Sequence, residues 1–494
     1  MKKIVTLIIA VAALCGTAFA QSRNSYFMEG SYFRTDMNPA LAPTRGFFAM
    51  PAMGGVGFNL NNNFLSIDNF IYQRDGELVT GLHEKVSSEE FLRKLPNRCN
   101  AGVNLQTNLF GLGFYTGRLY WNIGANLKVQ ANVSLPSDLF VLCKRLGNGT
   151  FDLGATGVNA NTYFETYLGT SIPIGKHVRI GARVKYLTGL LYADVNLNNS
   201  SLTLGEDKIT AEMHASGVVA SPILHTEGVS LRGKEAIENL DLEQLFNPDL
   251  LNMQIEGSDF KSLMKPVQTV FRQFKSWGLA ADLGVEVSLL DDHLRISAAV
   301  TDLGFIRYRN TQTISLTGLN GSAYFNGVNI EKIDQGNGTD YGFEIADGII
   351  ASSGSHHMTM LNCTLNAGIE YNILNNHIAF GVLSHTEFIN KHAFPELTAS
   401  VNFRATNWLT ATFSHTFLNK HAPGVLGFAL NIHPRVLNIF VGLDYIDTRF
   451  GVYNMTSKES GKVIRIPIPR YMNSINAYFG FGFNFARPKW MREK

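Results

Sequence analysis

With 494 residues the chain could hold several domains or one large barrel, and its 42 basic residues nearly balance its 40 acidic ones, so no field of one sign points to nucleic acid as a partner. Charged residues make up only 17% of the sequence, below the roughly 25% usual in soluble domains. Glycine, phenylalanine and tyrosine, at 46, 34 and 17 copies, indicate twisted sheets and turns and argue against a helical bundle.

The first twenty residues are typical of a secretory signal peptide. A positively charged start is followed by an apolar core over residues 4–14 and by the small-x-small sequence Ala18-Phe19-Ala20. Cys15 raises the alternative of a lipoprotein signal, although the leucine before it stands where lipoprotein processing prefers a small residue. After this segment no apolar run reaches the ~20 residues of a membrane helix. An exported chain of this kind would therefore enter a membrane only as a barrel.

Residues 21–45 carry polar and aromatic side chains without a clear period. They include the sequence Asn38-Pro39-Ala40-Leu41-Ala42-Pro43. Its two prolines exclude a central strand, because proline cannot donate a hydrogen bond to a sheet ladder. By itself this sequence is compatible with an ordinary proline turn.

From residue 46 onward many segments alternate apolar and polar side chains, which is the period of a β-strand. The last segment, 474–485, shows it most clearly, with apolar and aromatic side chains on one face and asparagine, glycine and tyrosine on the other. These runs are of the order of the ~9–11 residues that a membrane-spanning strand needs. We predict about fourteen strands, an even number as these barrels require. They lie near residues 46–60, 99–115, 118–134, 158–172, 177–196, 277–290, 293–309, 357–373, 376–390, 394–405, 408–419, 423–433, 435–448 and 471–486.

Short turns and long connections lie between the predicted strands. The turns near 173–177 and 290–293 are short, whereas the connections at 61–98 and 197–276 are long. Outer-membrane barrels show this asymmetry between a periplasmic rim with short turns and an outer rim with long loops. We expect the outer loops to be partly helical and residues 201–220 to form an extra hairpin above the membrane.

An Asn-Pro-Ala segment after an export signal, followed by a barrel rich in phenylalanine and glycine, resembles the FadL-type hydrophobic-compound transporters. It resembles equally the related PorV-type barrels of bacterial type IX secretion. In those families the N-terminal segment folds into the barrel as a hatch. The resemblance implies an all-β fold, namely a transmembrane antiparallel β-barrel in the outer membrane. It divides the chain into a signal peptide (1–20), a hatch or plug (21–45) with the motif Asn38, Pro39 and Ala40, a barrel (46–486) and a periplasmic tail (487–494).

The resemblance leaves two roles open. The leading one is passage or capture of a hydrophobic small molecule through a plugged barrel. The alternative is a non-enzymatic accessory barrel that binds other proteins in secretion or surface assembly. The implied partners are outer-membrane lipid, the barrel-assembly machinery, and either an apolar small molecule or a secretion partner protein. The sequence contains no catalytic, cofactor or metal motif by inspection, so we expect neither an enzyme nor a bound cofactor.

Several charged residues fall on inward-facing positions of the predicted strands. They are Lys128, Arg179, Arg183, Asp282, Glu286, Glu370 and Arg404. They could line a polar path through the barrel, or they could pair with one another and with the plug, as mixed charges in a narrow interior commonly do. A break in the alternation at Asp302 also predicts a β-bulge in its strand.

The long connection at 197–276 contains a further candidate site. Over residues 259–277 apolar side chains recur at three- and four-residue steps, which predicts an amphipathic helix with a kink at Pro266. They are Phe260, Leu263, Met264, Val267, Val270, Phe271 and Phe274. The helix could cover the barrel mouth and capture an apolar molecule, or it could pack its apolar stripe against its own loops.

A short repeat occurs in two neighbouring predicted hairpins, at residues 384–395 and 414–423. Its four histidines are His385, His392, His415 and His421. They could bind a metal ion, or the repeat could be a duplicated hairpin that needs only its turn chemistry preserved.

Overall fold

A computed structural model of the chain describes residues 23–490, apart from residues 65, 76, 145–147, 206–207, 221–274, 329–338, 346–348, 390–391, 418–423, 457–462, 471–473, 486 and 489. The predicted signal peptide lies outside the described residues. The same holds for the apolar stripe of the predicted outer helix, which comprises Phe260, Leu263, Met264, Val267, Val270, Phe271 and Phe274. Both stay predictions.

Alternating side chains and antiparallel pairing define the strands. In chain order they are β1 (Phe47–Ala49), β2 (Val56–Asn62), β3 (Ile71–Arg74), β4 (Glu77–Thr80), β5 (Arg98–Thr116), β6 (Leu119–Pro136), β7 (Gly149–Asp152), β8 (Gly157–Ile174), β9 (Val178–Leu197), β10 (Ser201–Leu204), β11 (Lys208–Ala220), β12 (Trp277–Leu289), β13 (Leu294–Val328), β14 (Thr339–Ile345), β15 (Ile349–Met360), β16 (Cys363–Ile373), β17 (Ile378–Ile389), β18 (His392–Thr406), β19 (Leu409–Phe417), β20 (Val425–Ile432), β21 (Leu437–Ile446), β22 (Phe450–Thr456), β23 (Val463–Pro469) and β24 (Ser474–Asn484). The helical elements are a 3₁₀ turn (Arg23–Ser25), α1 (Arg34–Met37), α2 (Ile67–Phe70), α3 (Ser88–Leu92) and α4 (Ser137–Lys144). None of these helices has the length and apolarity to cross a membrane.

One antiparallel sheet closes into a barrel with fourteen positions around its wall. In order, the positions are β1 with β2, β5, β6, β8, β9, β11 with β12, β13, β15 with β16, β17, β18, β19, β20, β21 and β24. The last position pairs with the first, since Phe47 lies opposite Asn484 and Val56 opposite Phe479. The predicted fold, an all-β antiparallel barrel of about fourteen strands, is confirmed.

The outer face of the wall is apolar and the inner face is polar. In β6, for example, Ile123 and Val133 point outward and are exposed, whereas Asn122 and Asn126 point inward and are buried. Exposed apolar side chains recur in the same way on strands around the barrel. An apolar belt of this kind requires hydrocarbon around it, as in outer-membrane barrels. The predicted outer-membrane location is confirmed.

Arginine at position 123 should be strongly destabilising, because the Ile123 side chain is 39% exposed on the lipid-facing side of β6. A charge on that face near the bilayer midplane costs about 2–4 kcal/mol. The matched control is Gln130→Arg on the same strand, whose side chain lines a cavity inside the barrel and should cost much less. The temperature at which each variant loses its folded gel mobility measures the difference. Equal tolerance of both arginines would contradict the assigned faces.

Two parts of the wall differ from the sequence-based expectation. The sequence predicts that β13 ends near residue 309, but the strand continues to Val328 and pairs with β11 and β15. β10 and β11 form the hairpin expected at residues 201–220, but β11 is not separate from the wall. It belongs to the wall sheet and shares one wall position with β12, since both pair with β9. Residues 310–328 lack a continuous apolar face, so their alternation is weak although the backbone ladder continues. β11 does alternate, but alternation alone does not show which strand it pairs with.

A structured cap lies over part of the outer rim. It comprises α2, α3 and the hairpin β3–β4, and its buried apolar side chains include Phe64, Tyr72 and Phe91. α3 begins after Ser87, whose hydroxyl accepts a hydrogen bond from the Glu90 backbone N–H at 3.1 Å. The cap and α4 agree with the expectation of partly helical outer loops.

The described part of the C-terminal tail lies against a short turn at the opposite rim. The Trp490 indole Nε1 donates to the carbonyl oxygen of Gly117 at 2.8 Å, and its ring packs edge-on against Tyr115. At Trp490 the tail is therefore attached to the β5–β6 turn and does not hang free.

Candidate functional site

Residues 23–45, which we term the lumenal segment, lie inside the barrel. Wall residues on widely separated strands donate hydrogen bonds to its backbone carbonyls. These bonds run from Ser171 Oγ of β8 to Ala40 at 3.2 Å, from Asn366 Nδ2 of β16 to Met37 at 2.9 Å, and from Asn438 Nδ2 of β21 to Gly30 at 2.8 Å. Because these strands surround the segment, it occupies the lumen and separates the two ends of the barrel.

Aromatic packing fills the lumen on one side of the segment. Tyr32 stacks on Phe47 of β1 with ring centroids 4.1 Å apart, and Phe33 packs against Phe440 of β21 at the same separation. Both segment residues are almost completely buried. The wall at this seam therefore depends partly on the segment for its interior packing.

The Asn38-Pro39-Ala40 motif makes a closed turn against the opposite wall. Asn38 is fully buried, and its Oδ1 accepts a hydrogen bond from the Ala40 backbone N–H at 2.9 Å. Its Nδ2 donates to the carbonyl oxygens of Val285 on β12 and Ala298 on β13, each at 3.4 Å. One amide side chain thus both forms the turn and attaches it to two strands.

A pair of glycines forms the seat of this turn. Gly181 of β9 and Gly284 of β12 lie opposite each other in the sheet. A Cβ atom at Gly181 would lie 2.2 Å from the carbonyl carbon of Pro39, and one at Gly284 would lie 2.0 Å from Asn38 Oδ1. Any side chain at either position would push the segment off the wall, so glycine is required for this close approach.

Five charged residues, four of them buried and Lys128 partly buried, form a cluster in the wall beside the segment. Lys185 Nζ lies 2.8 Å from Asp282 Oδ1 and 2.6 Å from Asp302 Oδ1. Lys128 Nζ lies 2.8 Å from Glu165 Oε2 and 3.1 Å from Asp302 Oδ1. The predicted bulge supplies one member, because Asp302 has a φ of +58° and the β12–β13 register shifts beside it. The five residues pair with one another. This arrangement fits the interpretation that the inward charges neutralise one another better than the interpretation that they line an open polar path.

Arg183 joins this cluster to the lumenal segment. Its Nη1 donates to Asp36 Oδ1 at 2.8 Å and its Nη2 to Thr35 Oγ1 at 3.0 Å. The same guanidinium lies 3.8 Å from Asp282 Oδ2 and over the ring of Tyr167. Arg183 is therefore the charged connection between wall and segment on this side.

A second charged group lies nearer the short-turn rim. Arg404 Nη2 donates to Glu370 Oε1 and, at 3.0 Å, to the carbonyl oxygen of Phe27 in the segment. Arg295 Nη1 donates to Glu29 Oε1, also in the segment. Two wall arginines thus hold residues 27–29 in place, with Glu370 balancing part of their charge.

The two remaining predicted inward charges have simpler surroundings. Arg179 Nη1 donates to Ser171 Oγ at 2.9 Å, a contact within the wall. Glu286 lies near the buried Arg34 of the segment and stabilises its positive charge. All seven predicted inward charges therefore face the barrel interior.

The start of the segment is held by a third polar group at its outer end. Arg23 Nη2 lies 2.9 Å from Glu396 Oε2, which also accepts a hydrogen bond from the Tyr445 hydroxyl at 2.8 Å. Asn24 Nδ2 donates to Asp444 Oδ1. Sequence alternation places Asp444 inside the barrel but does not identify its partner 420 residues away.

A cavity lies at each end of the segment. The outer one, which we term the vestibule, has a volume of about 940 Å³ and contains Arg23 in its lining. The cavity at the short-turn rim is much smaller, about 100 Å³, and is lined partly by Glu29, Gly30 and His433. Burial, together with Arg45 and Arg487, lowers the pKa of His433 to about 4, so this histidine is neutral at physiological pH. The segment separates a large outer space from a small inner one.

Sequence reasoning missed several of these partners. Glu165 could have been found, because Val158, Leu168 and Ile172 on the same strand face outward and place odd-numbered residues inside. Asp36 and Glu29 lie in a segment without periodicity, so the sequence carries no signal for their pairing.

The histidines of the repeat do not form one site in the described residues. The His385 ring Nδ1 is paired with Asn366 Oδ1 at 2.7 Å, and the His415 ring packs against Phe417. The side chain of His392 and all of His421 lie outside the described residues. The described part of the chain has no group of three or more side chains suited to hold a metal ion.

Three solved structures are similar to the chain at low sequence identity. The toluene transporter TbuX of Ralstonia pickettii is 10% identical, with 95% of each chain covered and a TM-score of 0.40. Two deletion mutants of TodX, a monoaromatic hydrocarbon channel, are 9% identical, cover 95% of this chain and 96% of theirs, and have TM-scores of 0.38 and 0.37. No curated protein matches the sequence. The sequence model of one family, described as a family of unknown function (DUF5723), matches residues 39–444, and the chain belongs to that family.

Proposed function

We propose that this protein is a gated channel of the outer membrane, in which the lumenal segment closes the barrel and has to move before a small molecule can pass. The observation that carries the proposal is the position of the segment, which lies across the lumen between the vestibule and the smaller cavity. Both cavities border the segment, so its displacement would join them.

The contacts that hold the segment are of a kind that can be exchanged for water. Arg183–Asp36, Arg295–Glu29 and Arg23–Glu396 are ion pairs between the segment and the wall. Wetting of the lumen would weaken these pairs, because charges attract one another far less at high dielectric constant. The wall itself is held by backbone ladders, which do not require the segment.

The resemblance to FadL-type proteins implies a hydrophobic solute. The described lining of the vestibule combines polar and apolar surface, and the outer helix predicted to capture an apolar molecule lies outside the described residues. Passage of a hydrophobic molecule therefore stays a prediction, while passage of some small molecule follows from the gated arrangement we propose.

A disulfide between the segment and the wall should hold the channel shut. In the variant Asn38→Cys/Gly284→Cys, the Cβ introduced at position 284 would lie 3.0 Å from the present Cγ of Asn38, a close approach of the kind that a disulfide requires. We expect openings of the wild-type protein in planar bilayers to disappear in the oxidised variant and to return on reduction. Cys143→Ser and Cys363→Ser remove the two less buried native thiols from the background.

The reduced double variant serves as the matched control, because it carries the same side-chain changes without the crosslink. Openings that persist unchanged in the fully oxidised double variant would contradict the proposal.

A second role, the protein-binding accessory barrel, is favoured by one specific observation. In the hairpin β22–β23 at the outer rim, the side chains of Phe450 and Val452 are 54% and 60% exposed. Exposed apolar side chains of this kind are common at protein interfaces. A wild-type barrel that never conducts, with or without the crosslink, would favour this role over the channel.

A further inference from the structure

We infer that the vestibule is a binding site for a neutral, hydroxyl-rich molecule of the saccharide class. The inference rests on the proposed function, because it assigns the class of solute that enters the closed channel from outside. It differs from the hydrophobic solute that the family resemblance implies.

The first observation is a layered arrangement of amide side chains. The inward-facing residues of β2, β5, β6 and β8 lie in register, so residues on adjacent strands form rows across the wall. One row consists of Asn59, Asn104, Gln130 and Asn161. The row above it consists of Asn61, Gly102, Asn132 and Asn159. Seven of these eight positions carry an amide, and six of the seven line the vestibule as a hydrogen-bonding surface. The exception is Asn161, whose Oδ1 accepts a hydrogen bond from the Tyr308 hydroxyl.

The second observation is the position of the glycine in this surface. A Cβ atom at Gly102 would lie 2.3 Å from Asn132 Oδ1 and 2.6 Å from Asn61 Oδ1. The two amides therefore lie over the glycine from both sides, close to the wall. This packing leaves the centre of the vestibule open and presents the amide groups along its edge.

The chemistry of the amide group selects the class of ligand. Each amide has both donors and an acceptor, which matches a hydroxyl group that also donates and accepts. An apolar ligand would bury the same amides without partners, at a free-energy cost for every unsatisfied group. The surface is therefore suited to a molecule that carries many hydroxyl groups.

The charges at the vestibule are mostly compensated from within the protein. Arg23 is paired with Glu396 at 2.9 Å, and Lys128 with Asp302 at 3.1 Å. A charged ligand would have to compete with these internal pairs. Electrostatics thus favours a neutral ligand.

The opposite side of the vestibule supplies an apolar ring. Phe394 of β18 belongs to its lining, and the Phe394 side chain is exposed there. A flat ring offers an apolar face for the C–H side of a sugar, while the amides take its hydroxyl groups. The volume of about 940 Å³ lies within the roughly 300–1,000 Å³ usual for small-molecule sites.

The test measures binding to an array of neutral oligosaccharides built from glucose, galactose, mannose and N-acetylglucosamine. The protein is the fluorescently labelled full chain, kept in a detergent without a sugar headgroup so that detergent cannot occupy the site. We expect at least one oligosaccharide to bind, and the variant Asn104→Leu/Gln130→Met to bind it about tenfold or more weakly, because two amides are lost at nearly constant volume. Asn407→Leu, an equivalent change at the short-turn rim, should bind like wild type.

A second measurement does not depend on the folding of the double variant. Alkylation of Asn132→Cys, in a background with Cys143→Ser and Cys363→Ser, should be slowed by the bound oligosaccharide and unaffected by toluene. Binding that is confined to acidic oligosaccharides, binding that the double variant retains in full, or the absence of any bound neutral oligosaccharide would overturn the inference.

Failure of this inference is distinguishable from failure of the channel function. Binding is measured on the closed protein and requires no movement of the lumenal segment. Segment-dependent conductance without oligosaccharide binding would reject only the ligand class. Oligosaccharide binding that depends on the vestibule amides, in a barrel that never conducts, would reject only the channel function.

Discussion

Deletion of residues 23–43 is expected to convert the barrel from closed to continuously conducting. The deletion removes the lumenal segment that separates the vestibule from the cavity at the short-turn rim. It leaves every wall strand intact, from Phe47 of β1 to Asn484 of β24. Single-channel recording in planar bilayers measures the conductance, and sensitivity of the expressing cells to large antibiotics gives an independent reading.

The truncated barrel should still assemble but should be less stable. The cluster of Lys128, Lys185, Glu165, Asp282 and Asp302 remains paired within the wall. In contrast, Phe47 and Phe440 lose the aromatic rings of the segment that bury them, so the temperature of unfolding on gels should fall.

A chain trimmed at residues 488–494 is the control, since it is shortened without loss of the segment. A folded truncated barrel that stays closed would show that another part of the chain seals the lumen.

Deletion of Tyr478–Phe485 is expected to abolish assembly in the membrane. β24 pairs with β21 on one side, from Leu437 opposite Phe483 to Asp444 opposite Asn476. On the other side it pairs with β1 and β2. Its loss would leave two unpaired strand edges in hydrocarbon, where each unsatisfied backbone group costs several kcal/mol. Fractionation of outer membranes and heat-dependent gel mobility measure the outcome.

Removal of residues 488–494 is the matched comparison and should be mild. Trp490 contributes one hydrogen bond to Gly117 and one ring contact to Tyr115, which together stabilise a turn outside the strand ladders. If this trimming were as damaging as loss of the strand, assembly would depend on the tail and not on closure of the wall.

The register of the closing seam provides a separate check. Phe58 of β2 lies opposite Ala477 of β24, so cysteines at these two positions should crosslink in the folded protein. Cysteines at 58 and 479 are the control, because residue 479 is opposite Val56 and the two cysteines are two residues out of register. Crosslinking of the second pair in preference to the first would reject the seam described here.

Most of the wall could be predicted from the sequence because lipid and lumen impose opposite polarity on successive residues of a strand. Ile123 and Asn122 illustrate this, since their neighbouring positions alone decide that one is exposed to lipid and the other buried. The prediction failed where that contrast is weak. Residues 310–328 continue β13 although their sequence has no continuous apolar face.

The contacts across the lumen could not be predicted in the same way. Alternation assigns Arg183 to the interior, but it carries no information about which residue of the lumenal segment lies opposite. Asp36, its partner, is 147 residues away in a segment without periodicity. The role of Gly181 and Gly284 could not be predicted either. It depends on the β9–β12 register, which only the folded sheet reveals.

Two of the three points at which the segment is held imply an electrical polarity for the emptied lumen. Departure of Arg23 would leave Glu396 and Asp444 without their cationic neighbour at the outer end. Departure of Glu29 would leave Arg295 and Arg404 with Glu370 as their remaining acidic partner near the other rim. The field along the axis would then run from an acidic entrance to a basic exit. Current through such a pore rectifies, since ions of one sign meet an attractive end and a repulsive one in a fixed order.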